Sequence, residues 1–474
     1  MFPTAEIDVG GVDIPFATRA KWRTDLGIQF PGSMQPVAMI DYGDSRGLET
    51  VGRVLLANAA LRRNLLWWNS LSVAATESGA ASNGALATAR LDALKASIEA
   101  AQAAGYLVDV IVSTGGNDFP SGIAPATTLA NIKQLHTLLV GWGVRLHWMV
   151  GIYPSFLVGS LGGFDLLQSL NAGISDMALT MPQMVPLMPG PAFLDLAASA
   201  WLPVGGGTGT VGSTAAGAPT VDGTHDSFFG HLVSAAELEI EAGPFARAFG
   251  RLSDSDVIST LSGFTSATET PQGNMLGAQG RMRALGGTNS STGGTVTGKP
   301  PAGWTLSGAL GGLAVTFETA GSPELRAMYN TRADVPVVRM TVSGTPSADV
   351  TLNLARNNTP SGGCPAGQYR HELLAFGRAI QGLCGFGLTT NVAQGGNPLF
   401  GNVVRLGRIP GGPRSPADAL PATTHALGGH HIASQASAAG SITGTVYALF
   451  EQGQAVSGSI DLAGACTRRI IPVA

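Results

Sequence analysis

Short apolar runs and helical periodicities alternate through the first half of the chain. Val37 to Tyr42 is an apolar run stopped by Gly43, the pattern of a strand buried on both faces. Leu48, Val51, Leu55 and Ala59 then recur at helical spacing. Leu65 to Val73 reads as a second strand, and 85–104 as a helix with Leu86, Leu91, Leu94 and Ile98 roughly on one side. Leu107 to Val112 is a third strand, closed by Gly115 and Gly116. A helix over 126–141 and a fourth strand from Val144 to Val150 follow. Strands separated by helices of this length predict βαβ units and a parallel sheet covered on both faces. Residues 151–220, rich in Gly, Pro and Met, predict insertions around that sheet, and 226–238 suit a further helix.

The pattern changes near Glu241. Residues 241–270 read as a connector. From about 271 the chain is rich in Gly, Ser and Thr, with short alternating runs. Leu313 to Thr319, Val337 to Val342, Val350 to Leu354 and Thr445 to Phe450 are strands bounded by turn residues, which predicts a β-sandwich.

Composition supports a folded chain with an unusual surface. The 66 glycines among 474 residues are about twice the usual share, and charged residues, at 12%, about half of it. The apolar fraction of 44% excludes a disordered chain. A net charge of −4 argues against duplex-DNA binding. Residues 1–240 carry 11 basic and 19 acidic side chains, and 241–474 carry 16 and 12, so two units with different tasks are expected. No apolar stretch reads as a membrane span, and the first residues do not read as a secretory signal peptide. Cys364, Cys384 and Cys466 have no zinc spacing; three buried thiols, or one disulfide and a free thiol, are the options.

Four short segments carry the chemistry. Gly43-Asp44-Ser45-Arg46-Gly47 places a serine between a strand and a helix, at the carboxyl edge where sites gather in parallel sheets. It is equally a turn and helix-cap sequence. Asp222-Gly223-Thr224-His225 puts a base and an orienting acid in one loop, or is a surface turn. Thr114-Gly115-Gly116-Asn117-Asp118 follows the third strand, where an Asn amide can donate to an oxyanion; otherwise it is a βα turn with Asp118 as a helix cap. Glu77-Ser78-Gly79-Ala80 lies after the second strand and offers a Gly amide for close approach; the plainer reading is a loop.

Taken in the order Ser, Gly, Asn, Asp-x-x-His, these segments resemble the SGNH hydrolases, also called GDSL esterases, over about 36–240. Gly84 is the other choice for the second block. The segment 43–47 also fits the G-x-S-x-G elbow of α/β-hydrolases. That reading is rejected, because Asp and His share one loop here and the serine follows the first strand. The resemblance implies a three-layer α/β/α, flavodoxin-like domain and a serine esterase. Ser45 would be the nucleophile, His225 the base and Asp222 its partner. The amides of Ser45 and Gly79 and the Asn117 side chain would form the oxyanion hole. No metal or organic cofactor is implied.

Residues 271–474 resemble the carbohydrate-binding-like jelly rolls that follow SGNH modules in some phage tail and bacterial surface proteins. The resembling stretches are Asn274-Met-Leu-Gly, Pro301 to Ser307, Gly367 to Glu372 and Gly453 to Leu462. Trp304 is expected as a core anchor rather than a sugar platform, and His430-His431 as a polar loop rather than a metal site. Residues 1–35 are either an attachment segment or an extension packed on the hydrolase unit. The resemblance implies an O-deacetylase of a host cell-surface polysaccharide, made in the cytoplasm and displayed on a phage tail as a trimer docked to the virion. It implies no nucleic-acid partner and no membrane insertion. The alternative is a non-catalytic adhesin or structural virion protein that binds glycans through the sandwich.

Overall fold

The computed structural model describes residues 37–46, 65–152, 164–187, 208, 213–215, 218–230, 232, 274–329, 334–360, 362–394, 397–411, 418–435 and 438–469. The expectations for 1–35, for the helix through Leu48 to Ala59, for the connector 241–270 and for much of 151–220 lie outside them.

The first unit is a parallel sheet with strand order β2-β1-β3-β4-β5. The strands are β1 (Val37–Gly43), β2 (Leu65–Ser70), β3 (Leu107–Ser113), β4 (Leu146–Val150) and β5 (Met184–Leu187). Helices α1 (Thr88–Ala103), α2 (Pro125–Gly141) and α3 (Phe164–Thr180) connect them. This is the flavodoxin-like order, in which the sheet reverses direction of growth between β1 and β3. Every residue of β1 is buried, because β2 and β3 flank it and the layers cover both faces. That is why its sequence is a continuous apolar run rather than an alternating one. Its buried Asp41 accepts a hydrogen bond from Ser70 Oγ at 2.6 Å. Asp109 on β3 is likewise satisfied, by Arg145 (2.7 and 2.5 Å) and by Trp148 Nε1 at 2.9 Å. The apolar stripes of α1 (Leu94, Ile98, Ala101), α2 (Ile132, Leu135, Leu139) and α3 (Leu167, Leu170, Ile174) join the strands in one core.

The second unit is a two-sheet β-sandwich. It uses β6 (Thr288–Asn289), β7 (Thr295–Thr297), β8 (Thr305–Ser307), β9 (Ala314–Ser322), helix α4 (Pro323–Tyr329), β10 (Val335–Ser343), β11 (Val350–Asn358) and β12 (Gly367–Gln381). β13 (Leu383–Gln394), β14 (Asn397–Gly407), β15 (Thr423–Ala426), β16 (Gly429–Gln435), β17 (Ile442–Phe450) and β18 (Ser457–Arg469) complete it. One sheet runs β15-β12-β18-β10-β9-β7, with β16 also on β12; the other runs β14-β13-β17-β11-β8-β6. Successive strands repeatedly switch sheets, the connectivity of a jelly roll.

Trp304 is fully buried and its Nε1 donates to Gln279 O at 2.8 Å, so it is a core anchor. All three cysteines are free and buried, which removes the disulfide option. His430 and His431 are on strand β16, the first buried and the second partly buried, not in a polar loop. The loop reading failed because a His-His pair between small residues carries no β signal. Among the described residues, no cluster of His, Cys, Asp and Glu could hold a metal ion. No helix there is long and apolar enough to cross a membrane.

Each unit has its own core, and two residues of the first unit enter the core of the second. Phe228 and Leu232, just past His225, are buried among the sandwich residues Met275, Trp304 and Leu406. Strand β16 also lies against β2.

Candidate active site

The carboxyl ends of β1, β3 and β4 converge, as the strand order requires. Gly43 closes β1 at a point where only a hydrogen fits. A Cβ there would lie 1.9 Å from the carbonyl oxygen of Ser113 on β3. That contact lets Asp44 N donate to Ser113 O at 2.8 Å, while Ser113 Oγ donates to Asp44 Oδ1 at 2.9 Å. Asp44 Oδ1 also accepts from Arg46 N at 2.9 Å, an Asx turn that presents Ser45 between them.

The segment 222–225 meets this turn from the far end of the unit. His225 Nε2 lies 2.9 Å from Ser45 Oγ, and His225 Nδ1 lies 2.7 Å from Asp222 Oδ2. The other carboxylate oxygen of Asp222 accepts the amides of Thr224 (2.8 Å) and His225 (2.7 Å). Burial pushes the Asp222 carboxyl up, but the hydrogen bond from the His225 ring, its backbone amide, its charge and the Thr224 amide outweigh it. The net effect holds Asp222 below the usual carboxylate range, ionised at neutral pH.

Asn117 sits in a short 3₁₀ turn, Gly116–Asp118, entered through Gly115 at a left-handed φ of 99°. Its side-chain amide donates to Thr76 O at 3.1 Å, which leaves the second amide hydrogen for a ligand oxygen. Asp118 is not a helix cap. It is buried and accepts Ser78 N (2.8 Å), Ser78 Oγ and Thr128 Oγ1, tying the loop after β2 to the loop after β3. Gly79 therefore sits in a fixed loop. The Gly84 amide is committed to Ala81 O at 2.7 Å, whereas Gly79 N donates no hydrogen bond among the described residues. Ser45 and Asn117 line a common cavity of about 50 Å³, together with Thr114, Val150, Gly151, Ile152 and Thr224. Gly79 is not among the residues of that wall.

Two arginines escaped the sequence reading. Arg46 Nε donates to Thr224 O at 2.9 Å, and its guanidinium pairs with buried Asp226 at 3.2 Å. It fastens the serine turn to the histidine loop. Arg90, at the start of α1, donates to Gly43 O and Leu71 O (3.1 Å each) and to Thr76 Oγ1 at 2.6 Å. Its guanidinium lies 4.7 Å from the centre of the Tyr42 ring. It thus joins the ends of β1 and β2 to the residue whose carbonyl holds Asn117. The Arg46 partners lie far away in sequence and Arg90 acts mainly on backbone carbonyls, so only the G-D-S-R-G position of Arg46 hinted at a role.

No protein-family model matches the chain, and no curated protein matches it. Among solved structures it is similar to TesA, at 20% identity over 42% of this chain and 94% of that one, with a TM-score of 0.27. It is also similar to TmCBM61, solved with β-1,4-galactotriose, at 14% identity over 35% and 88% of the two chains, TM-score 0.21. A third is the enzymatically active domain of bacteriophage CBA120 tailspike protein 4, at 13% identity over 36% of this chain and 20% of that one, TM-score 0.22. At these scores the likenesses add nothing to the strand order and the site geometry.

Proposed function

We propose that the chain is a serine ester hydrolase. The observation that carries this is the unbroken Asp222–His225–Ser45 hydrogen-bonded relay, with the Asn117 amide on the same cavity. His225 Nε2 takes the Ser45 proton as Oγ attacks the ester carbonyl carbon. Asp222 fixes the ring so that Nε2 faces Ser45, and it stabilises the imidazolium that forms. The negative charge on the carbonyl oxygen is met by the Ser45 amide, the Asn117 side chain and, in this reading, the Gly79 amide. His225 then gives its proton to the departing alcohol as the carbonyl–oxygen ester bond breaks. Water, deprotonated by His225, releases the acyl group and restores Ser45.

The finer reading is an O-deacetylase of a cell-surface polysaccharide on a phage tail, with the sandwich holding the glycan. Its support is the order of the two units and the resemblance of their sequence blocks. The test is hydrolysis of p-nitrophenyl acetate by the full chain beside Ser45→Ala. A fall of about 10⁴-fold or more in kcat, with the fold kept, is expected for loss of a relay member. Equal activity in Ser45→Ala refutes the reading. A folded chain with no turnover on simple or glycan esters favours a glycan-binding protein instead.

A further inference from the structure

The cavity beside Ser45 has a wall that is built not to move. Val150, the last residue of β4, and Gly151 and Ile152 just after it line the cavity together with Ser45 and Asn117. Gly151 N donates to Leu187 O at 2.8 Å. Asn171, on α3, grips Ile152 at both backbone groups: its Oδ1 accepts Ile152 N at 2.7 Å and its Nδ2 donates to Ile152 O at 2.9 Å. Helix α3 is itself fixed by buried Leu167, Leu170 and Ile174. The Ile152 side chain is buried, with Cδ1 against Gly115, where an added Cβ would lie 3.4 Å away. The wall is thus wedged between α3 and the turn that carries Asn117.

A fixed wall turns volume into selectivity. An apolar cavity of ~150 Å³ holds benzene, so each carbon takes about 25 Å³. On that scale the space of about 50 Å³ beside Ser45, in a pocket partly open to solvent, takes two heavy atoms. The carbonyl carbon and methyl of an acetyl group fill it, the carbonyl oxygen being turned toward Asn117. Resting on the esterase reading, we propose that Ile152 selects two-carbon acyl groups and that Asn171 is the positioning residue that holds it there. Neither residue was singled out by any sequence motif.

The magnitude follows from how pockets discriminate. One misplaced methylene changes kcat/KM by roughly 10–200-fold, so a butanoyl ester, with two more, should fall at least about 100-fold below acetyl. The experiment compares p-nitrophenyl acetate, butanoate and hexanoate on the full chain, Ile152→Ala, Ile152→Val, Asn171→Ala and Ser45→Ala. Ile152→Ala removes three carbons and should bring the acetate-to-butanoate ratio down to about 10 or less. Ile152→Val and Asn171→Ala should move the ratio in the same direction by smaller factors, and Ile152→Val keeps the test open if the alanine variant does not fold. Ser45-dependent hydrolysis of butanoate as fast as acetate by the unaltered chain overturns the inference and leaves the esterase reading standing. A uniform loss on all three esters in the Ile152 and Asn171 variants also overturns it, since that is what a purely structural role gives. A folded chain with no Ser45-dependent turnover on any ester removes the esterase reading and the inference with it.

Discussion

Replacing Phe228 by Ala tests whether the sandwich holds the histidine loop in place. Phe228 is three residues beyond His225, yet its ring is 0% exposed and lies in the sandwich core. The space it occupies is made by Gly407 at the end of β14. A Cβ there would lie 2.7 and 2.9 Å from two ring carbons. Between His225 and Phe228 the chain is short and bonded: Val221 N donates to His225 O (2.8 Å), and Ser227 N to Pro219 O (2.9 Å). Ser227 Oγ donates to Ala218 O at 2.6 Å. A shift of the Phe228 backbone must therefore pass into the 222–225 turn. Truncating a buried Phe costs about 3–5 kcal/mol, a large part of a typical stability of ~5–15 kcal/mol. Urea unfolding should show a loss of that size. At low urea, where the variant is folded, kcat on p-nitrophenyl acetate should still fall by about 10-fold or more. A misplacement of ~1 Å can cost as much as 10²-fold. Gly407→Ala approaches the same contact from the other unit. It places a side chain at a φ of +65° and against the Phe228 ring, so it should lower kcat too. Wild-type kcat in a destabilised Phe228→Ala protein would refute the reasoning, because the local bonds alone would then hold His225.

Arg46→Ala removes the ion pair to buried Asp226 and the hydrogen bond to Thr224 O, so a loss of about 3 kcal/mol is expected. The same variant should lower kcat about 10–100-fold through the histidine loop. Arg46→Lys should recover only part, since a single ammonium cannot replace the guanidinium fork; full recovery would show that charge alone suffices. His147, on β4, is fully buried with Nδ1 3.1 Å from His136 Nδ1. Burial, aided by His136, pushes it down to about 3. Between pH 6.5 and 3 the unfolded chain therefore takes up a proton that the folded chain refuses, so stability is full above pH 6.5 and falls as pH drops. Unfolding free energies from urea titrations between pH 7.5 and 4 should fall by up to about a few kcal/mol, and less in His147→Gln; identical pH slopes would exclude His147 as a cause.

The parallel sheet was legible because buried parallel strands write themselves as apolar runs ending in glycine. The run Val37 to Tyr42 became β1, and the periodicity over 85–104 became α1 at Thr88–Ala103. The sandwich was legible only in part. β12 carries Arg370, His371 and Glu372, a polar triplet with no apolar alternation, yet Glu372 is wholly buried. It is neutralised by Arg370 at 2.6 Å and Arg468 at 3.3 Å, the latter on the neighbouring strand β18. No local pattern announces such a pair. The blocks of the site were legible as short motifs, because each needs a particular residue type at a strand end. Their supports were not. Arg46 reaches Asp226 across 180 positions, Arg90 acts through carbonyl groups that any residue supplies, and Phe228 reads as one more apolar helix residue.

These supports decide how the site keeps its geometry. It lies at the switch point, where β1 is flanked by β2 on one side and β3 on the other. Loops from different strands must agree there to within fractions of an ångström, and none is long enough to do so alone. The structure joins them pairwise. Asp44 ties β1 to β3, Asp118 ties the β2 loop to the β3 loop, and Arg46 ties the serine turn to the histidine loop. The histidine loop is the one part of the relay that no sheet strand carries. It is the part whose next residues are buried in the sandwich. The sandwich is thus positioned to be a support of catalysis as well as any ligand-binding unit. Damage to its core around Gly407 should be read first in kcat.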